Sequence, residues 1–251
     1  MSEASGVAIV SGAARGLGRA FADRLISEGY TVLPFDVNPS VEDQANGLIA
    51  DVSQRSDVER VIEAAAAFGP IKVVVNNAGT WRRTPVDSSW EQALEDWDYI
   101  MDTNVLGVLL LSRAAIPQIV ANGGGHIVNL STYYVLPAKS SGTNQPDTDL
   151  YNASKWALNG FTDAWAKTLH EKNISVNGMC MGAVDTEMLR GLFPDNKLPP
   201  ELAANTIPID DISQQLIDII NSGRTGENFG AWVGEEVTLG DQPPIHKRIT
   251  G

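Results

Sequence analysis

Cysteine is almost absent from this chain: Cys180 is the only one in 251 residues, so no internal disulfide can form. Histidine is nearly as rare, and His126, His170 and His246 are too scattered to suggest a metal site, so chemistry without a protein-bound metal is expected. Basic residues are scarce too, with 18 Lys and Arg against 31 Asp and Glu and a formal charge of -13. Such a field repels phosphate backbones and anionic lipid, which argues against nucleic acid or a membrane as partner. No run of about twenty apolar residues occurs, and the first six residues lack the basic and apolar regions of a secretory signal, so the expected location is cytoplasmic. There is no internal repeat and no low-complexity linker. With 43% hydrophobic residues the chain can enclose one large core, and a single domain over residues 1–251 is expected.

What is present is an alternation of short apolar runs with longer amphipathic stretches, as expected when parallel strands are covered by helices on both faces. The pattern predicts strands at residues 7–11, 31–36, 48–51, 73–76, 127–132, 174–180 and 231–233. Helices are predicted at 17–27, 55–68, 90–120, 151–171 and 212–221, each ending near Gly, Asn or Pro. Two segments, 137–150 and 188–208, are rich in Pro, Asn, Ser and Asp and break the alternation. Long loops on such a sheet often cover an active site.

Directly after the first strand stand Gly12, Gly16 and Gly18, with Leu17 opening a helix. Bare backbone there can approach a pyrophosphate, and the helix N-terminus can hold its charge. Alone, a glycine-rich turn is a weak signal; its context strengthens it, because Asp36 closes the second predicted strand, where a carboxylate accepts hydrogen bonds from the adenosine ribose hydroxyls. A 2′-phosphate would meet that charge, so NAD is the expected cofactor. Arg15 beside the loop pulls the other way, as a cation for a 2′-phosphate or as a solvated surface charge.

Tyr151 and Lys155 are four apart at the start of a predicted helix, which puts both side chains on one face. A phenol of ordinary pKa near 10 is a poor base, and bringing it to neutrality requires about 4 kcal/mol of preferential stabilisation of the phenolate. Lys155 together with a nicotinamide cation is expected to supply it. Tyr133 and Tyr134 have no lysine at this spacing.

From about residue 7 to 188 the chain resembles the short-chain dehydrogenase/reductase family. The resemblance is carried, in order, by Gly12, Gly16 and Gly18; Asp36; Asp51 with Val52; the run Asn76, Asn77, Ala78, Gly79; Asn104; Ser131 with Thr132; and Tyr151 with Lys155. It implies a Rossmann-like, doubly wound α/β fold with a seven-stranded parallel sheet, and a homodimer or homotetramer. It also implies adenine contacts from Asp51 and Val52, further cofactor contacts from Asn77, Ala78 and Gly79, and nicotinamide contacts from Val184 and Thr186. By the same resemblance Asn104 holds a proton-relay water, Thr132 polarises the substrate oxygen, Tyr151 is the acid/base and Lys155 also binds the nicotinamide ribose. The family usually has two serines at 131 and 132, a shorter segment between Thr132 and Tyr151, and proline where Met181 stands.

The expected activity is NAD-dependent interconversion of a secondary alcohol (polyol, sugar, hydroxy acid or cyclic alcohol) and its carbonyl compound. Its rivals are a non-catalytic dinucleotide-binding regulator on the same fold and, disfavoured by chain length and glycine spacing, a sugar-nucleotide epimerase or dehydratase. For the small-molecule substrate, Trp81, Arg82 and Arg83 follow Gly79 along the expected rim of the cleft. An arginine there suits an anionic group by paired hydrogen bonds, or else pairs with acids such as Asp87 and Glu91. Trp81 and Tyr133 would supply apolar walls.

Overall fold

The computed structural model describes residues 5–136 and 145–240. His246, the first four residues and positions 137–144 of the first expected loop lie outside them. Seven parallel strands form one sheet: β1 (Val7–Ser11), β2 (Thr31–Asp36), β3 (Leu48–Ile49), β4 (Ile71–Asn76), β5 (Gly125–Thr132), β6 (Ile174–Met181) and β7 (Asn228–Ala231), in the order β3-β2-β1-β4-β5-β6-β7. The helices are α1 (Gly16–Ser27), α2 (Arg55–Phe68), α3 (Trp90–Met101), α4 (Gly107–Ala121), α5 (Asp149–Leu169), the short α6 (Glu187–Arg190) and α7 (Pro200–Ala203), and α8 (Ile209–Asn221).

The apolar runs are continuous because both faces of the sheet are covered. Along β1, Ala8 and Val10 point into a core shared with Phe21 and Leu25 of α1 and Leu216 of α8. Val7 and Ile9 point the other way, into a core with Val58 and Ile62 of α2 and Leu111 and Ile119 of α4. The expected doubly wound architecture is therefore present.

Four local expectations are corrected. The third strand stops at Ile49 rather than Asp51, because the Asp51 carboxylate turns the chain by accepting from Ser53 N (2.9 Å) and Ser53 Oγ (2.8 Å). The last strand lies at Asn228–Ala231 rather than 231–233, set by its pairing of Gly178 with Asn228 and Met181 with Ala231 on β6. Residues 188–208 are not one open loop but hold the end of α6, all of α7 and a strand-like bridge from Ile207 to Val184. The helix expected at 90–120 is interrupted by a π turn, Asp102–Leu106. Just past it, a Cβ on Gly107 would fall 2.6 Å from Val52 Cγ1, so the onset of α4 packs directly on the turn after β3. The whole run Trp90–Ala121 is long and apolar enough by composition to cross a membrane, yet its inner positions Leu111, Ala115 and Ile119 are buried against the sheet as in a core helix.

The C-terminal part of the described chain is fixed by a buried ion pair. Arg224 donates from Nε to Glu227 Oε1 (2.9 Å), from Nη1 to the carbonyls of Leu239 (3.0 Å) and Gly240 (2.9 Å), and lies 4.7 Å over the ring of Phe229. Removing one partner of a buried pair leaves the other charge unsatisfied. We therefore expect Arg224→Ala to lower the unfolding free energy in urea by about 3 kcal/mol. Arg19→Ala, which breaks an exposed pair with Asp23, should shift it by no more than about 0.5 kcal/mol.

Candidate active site

The order of the sheet reverses between β1 and β4, and crevices in such sheets open at the carboxyl ends of the strands flanking that point. Here the seam is closed by the serine that ends β1. Ser11 Oγ accepts from the amides of Asn77 (3.0 Å) and Ala78 (2.9 Å), while Asn77 Nδ2 donates to the carbonyls of Ser11 (2.8 Å) and Gly12 (3.0 Å). Asn77 lines the groove, as the resemblance implied, but its amide nitrogen is engaged by the glycine loop. Gly12 and Gly18 leave room where any side chain would collide: a Cβ on Gly18 would lie 2.1 Å from the Gly12 carbonyl oxygen, and one on Gly12 2.7 Å from Ala78 Cα.

A groove of about 790 Å³ runs from Asp36 past Gly12, Arg15, Gly16, Leu17 and Gly18 to Lys155. Asp51, Val52, Ala78, Gly79, Tyr151 and Thr186 line it as well. At its centre α1 begins with no side-chain cap and no acid in its first turn, so its leading amides and dipole suit an anion. Asp36 is held by two backbone amides, Ala14 N on Oδ2 (3.0 Å) and Asn38 N on Oδ1 (2.9 Å). Arg15 is exposed at the mouth. A glycine cradle, uncapped helix amides and a fixed carboxylate at the far end together fit a dinucleotide. Val184 is buried beside this region and lines the neighbouring cleft instead.

That cleft, about 680 Å³, meets the groove at Leu17, Ser131, Tyr151, Met181, Thr186 and Met188. Thr132, at the end of β5, lies beside the phenol of Tyr151, which stands in the first turns of α5. Burial raises the phenol above its ordinary value, the nearby Tyr134 phenol adds to this, and the Thr132 hydroxyl opposes it. In the protein by itself the Lys155 ammonium stands 5.7 Å from the Tyr151 ring centre and donates to the Leu130 carbonyl (2.9 Å), and the expected lowering calls for the nicotinamide cation as well. Burial pushes Lys155 down to about 8 and the adjacent Cys180 thiol up to about 12; Ser131 and Lys155 oppose the thiol's rise.

Asn104 sits on the π turn, fully buried, with Oδ1 accepting from Thr80 N (2.8 Å). Its Nδ2 donates to the Thr80 carbonyl (3.0 Å) and to Ser154 Oγ (3.0 Å), which in turn donates to the Tyr151 carbonyl (2.7 Å). Sequence reasoning missed Ser154; its signal was a serine three residues after Tyr151, placed to bond back within the helix.

Of the expected substrate residues, Trp81, Arg83 and Tyr133 line the cleft. Arg82 does not: it donates to Asp96 (2.9 Å) and Glu95 (3.3 Å) and covers the ring of Tyr99 at 3.6 Å. Arg83 pairs with Asp147, so neither arginine meets Asp87 or Glu91. Among the described residues no three of His, Cys, Asp and Glu gather as a metal site.

A family model described as short chain dehydrogenase matches residues 6–197. The 3-oxoacyl-(acyl-carrier-protein) reductase of Thermotoga maritima is 32% identical over 218 residues, covering 81% of this chain and 82% of that one. An (S)-acetoin-forming diacetyl reductase of Staphylococcus aureus is 34% identical over 199 residues, 74% of each chain. Among solved structures, a Beutenbergia cavernae protein assigned as an NAD(P)-dependent gluconate 5-dehydrogenase, with NADP at low occupancy, superimposes with TM-score 0.78 at 25% identity, over 91% of this chain and 96% of that one. The 3-ketoacyl-(acyl-carrier-protein) reductase of Brucella melitensis with NADH gives 0.75 at 25% identity, over 90% and 96%.

The buried ammonium predicts a pH dependence. Lys155 titrates near 8 in the folded chain against an ordinary 10.5, so below pH 8 its burial cost is present in full, and it is relieved as pH rises toward about 10. Tyr151 and Cys180, both raised in the fold, titrate in the unfolded chain toward the top of this window and oppose the trend, but they do so in both proteins and drop out of the comparison. The stability of the protein relative to Lys155→Met should therefore rise between pH 8 and 10, by on the order of 3 kcal/mol, in urea unfolding at stepped pH. A flat difference would show that the ammonium is not desolvated.

Proposed function

This chain belongs to the short chain dehydrogenase family, and from that premise we propose that it is an NAD-dependent oxidoreductase interconverting a secondary alcohol and its carbonyl compound. The observation that carries this is the placement of Tyr151 beside Thr132 at the junction of a dinucleotide-shaped groove and a separate cleft, with a buried ammonium one helical turn away. Bound nicotinamide supplies the acceptor or donor of the hydride. In reduction the Tyr151 phenol, held protonated by its burial, gives its proton to the substrate oxygen while Thr132 donates a hydrogen bond to the same atom. In oxidation Tyr151 takes the alcohol proton. Lys155 supplies fixed positive charge to the ribose end of the nicotinamide and to the phenolate. Asn104, tied through Ser154 to the Tyr151 carbonyl, holds the first turns of α5 in register with the loop after β4 and is the residue to hold a relay water.

NAD rather than NADP is supported by Asp36, whose carboxylate is locked by two amides and cannot turn away from a 2′-phosphate. Thr186, which lines both groove and cleft, and Val184, which lines the cleft, are the residues to meet the nicotinamide end. Exposed Trp97 on α3 and Trp156 on the adjoining α5 support self-association as a homodimer or homotetramer, and the acidic charge supports a cytoplasmic setting away from anionic membranes.

Tyr151→Phe should abolish nearly all turnover while leaving NAD affinity, read by fluorescence titration, within about twofold. Substantial residual rate would remove Tyr151 from the acid/base role. Asp36→Ala should narrow the preference for NAD over NADP from well over about tenfold toward parity in kcat/KM. It should also weaken both cofactors somewhat, because the Ala14 amide loses its acceptor.

A further inference from the structure

The cleft does not end beyond the reacting groups. A second cavity of about 660 Å³ adjoins it through Tyr133, Gly182, Ala183 and Leu202 and continues to Trp232 and Val233. Tyr133 stands between the two, edge-on to Trp232 with centroids 6.0 Å apart and tilted against Tyr134 at 4.6 Å. On the side of the first cavity, Met188 and Leu192 remain 48% and 39% exposed, so large apolar surface faces the opening.

Charge in this continuous space is sparse and of known disposition. Among the described residues the one cation lining either cavity is Arg83, and it is paired with Asp147. An exposed pair of this kind is weak by itself, but Asp147 is not free to leave. Its carbonyl accepts from Thr84 N (2.8 Å), Thr84 bridges Thr148 and bonds the Asp149 carboxylate, and Asp147 itself has φ of 56°, a left-handed conformation fixed by that strap. The strap thus keeps the Asp147 carboxylate within reach of Arg83. The exposed Glu201 on α7 adds negative charge at the second cavity.

Building on the hydride-transfer reading above, we propose that the substrate is an uncharged, elongated secondary alcohol or ketone whose apolar tail passes Tyr133 toward Trp232, and that Asp147 is the specificity residue that excludes anionic substrates by neutralising Arg83. Burying a carboxylate in this space without a free cation carries a desolvation penalty that no described group offsets. The apolar tail instead gains contact area as it lengthens.

The test uses two probe sets on the full-length protein with NAD: straight-chain secondary alkanols of increasing length, and mandelate against its methyl ester. The expected result is kcat/KM that climbs with chain length, and preference for the ester over mandelate by at least about tenfold. Asp147→Asn should shrink the ester preference several-fold by releasing Arg83, whereas Leu202→Trp should flatten the gain with length by narrowing the passage. Binding of the matching ketones and of mandelate to the protein without NAD, read by tryptophan fluorescence, separates this proposal from the proposed reaction. If nothing is turned over yet long ketones and the ester bind while mandelate does not, the substrate assignment stands and the hydride-transfer reading falls. A flat length series, preference for mandelate, or an ester-to-acid ratio unmoved by Asp147→Asn would overturn it.

Discussion

The fold depends on a contact that tolerates no side chain. The Gly12 backbone lies against Ala78 of the loop after β4, and Gly18 of α1 lies against the Gly12 carbonyl, at separations that a single methyl group would close. Ser11 and Asn77 then stitch the two loops together through four hydrogen bonds. This seam lies where the sheet order reverses, so it sets how far apart the crossover segments stand and where the crevice opens. Everything of chemical interest follows from that rim. Asp36 ends β2, Asp51 follows β3, Gly79 follows β4, Thr132 ends β5, and Val184 follows β6.

Three titratable groups share the buried floor of that crevice. Burial acts on each in the direction of neutrality: the ammonium of Lys155 goes down, the thiol of Cys180 up, the phenol of Tyr151 up. They relieve one another only in part, because the ammonium is directed to the Leu130 carbonyl rather than to the phenol oxygen. The resting protein therefore carries a protonated tyrosine, prepared to act as an acid. For it to act as a base, the further lowering has to come from charge brought in by ligands and from Thr132, whose hydroxyl already acts in that direction.

Much of this was legible in the sequence, and the failures share a cause. Strands buried on both faces read as unbroken apolar runs, which is why β1, β2 and β6 were placed within a residue, and the glycine loop and the Tyr151–Lys155 spacing are local signals. The π turn was invisible because the apolar rhythm runs unbroken through Asp102–Leu106; it shows only in the backbone, where the Gly107 amide bonds the Asp102 carbonyl five residues back. The strand β7 is short and holds Gly230, so propensity could not fix its register. Arg82 and Arg83 resisted for another reason: their partners, Asp96 and Asp147, are brought in by α3 and by the approach to α5, and no sequence window contains both ends of the second pair.

Those two arginines show how a strongly acidic chain handles anions. With only 18 basic residues, most described cations near the site are tied to structure, Arg82 to Asp96, Arg83 to Asp147, Arg190 to Asp185 and Lys155 to a carbonyl, while Arg15 is exposed at the mouth of the groove. The negative charge of a pyrophosphate must then be met mainly by backbone, and the uncapped start of α1, free of acids in its first turn, supplies that. Backbone dipoles act over about a turn of helix, whereas a lysine or arginine extends its field further. An anion is thus welcome at the glycine loop and finds less support among the described residues of the adjoining cleft, where the helix that starts, α5, carries Asp149 in its first turn and the lining cation Arg83 is already paired. On the proposed reading, the same scarcity of positive charge that leaves the phosphate site to the backbone leaves the cleft to uncharged molecules.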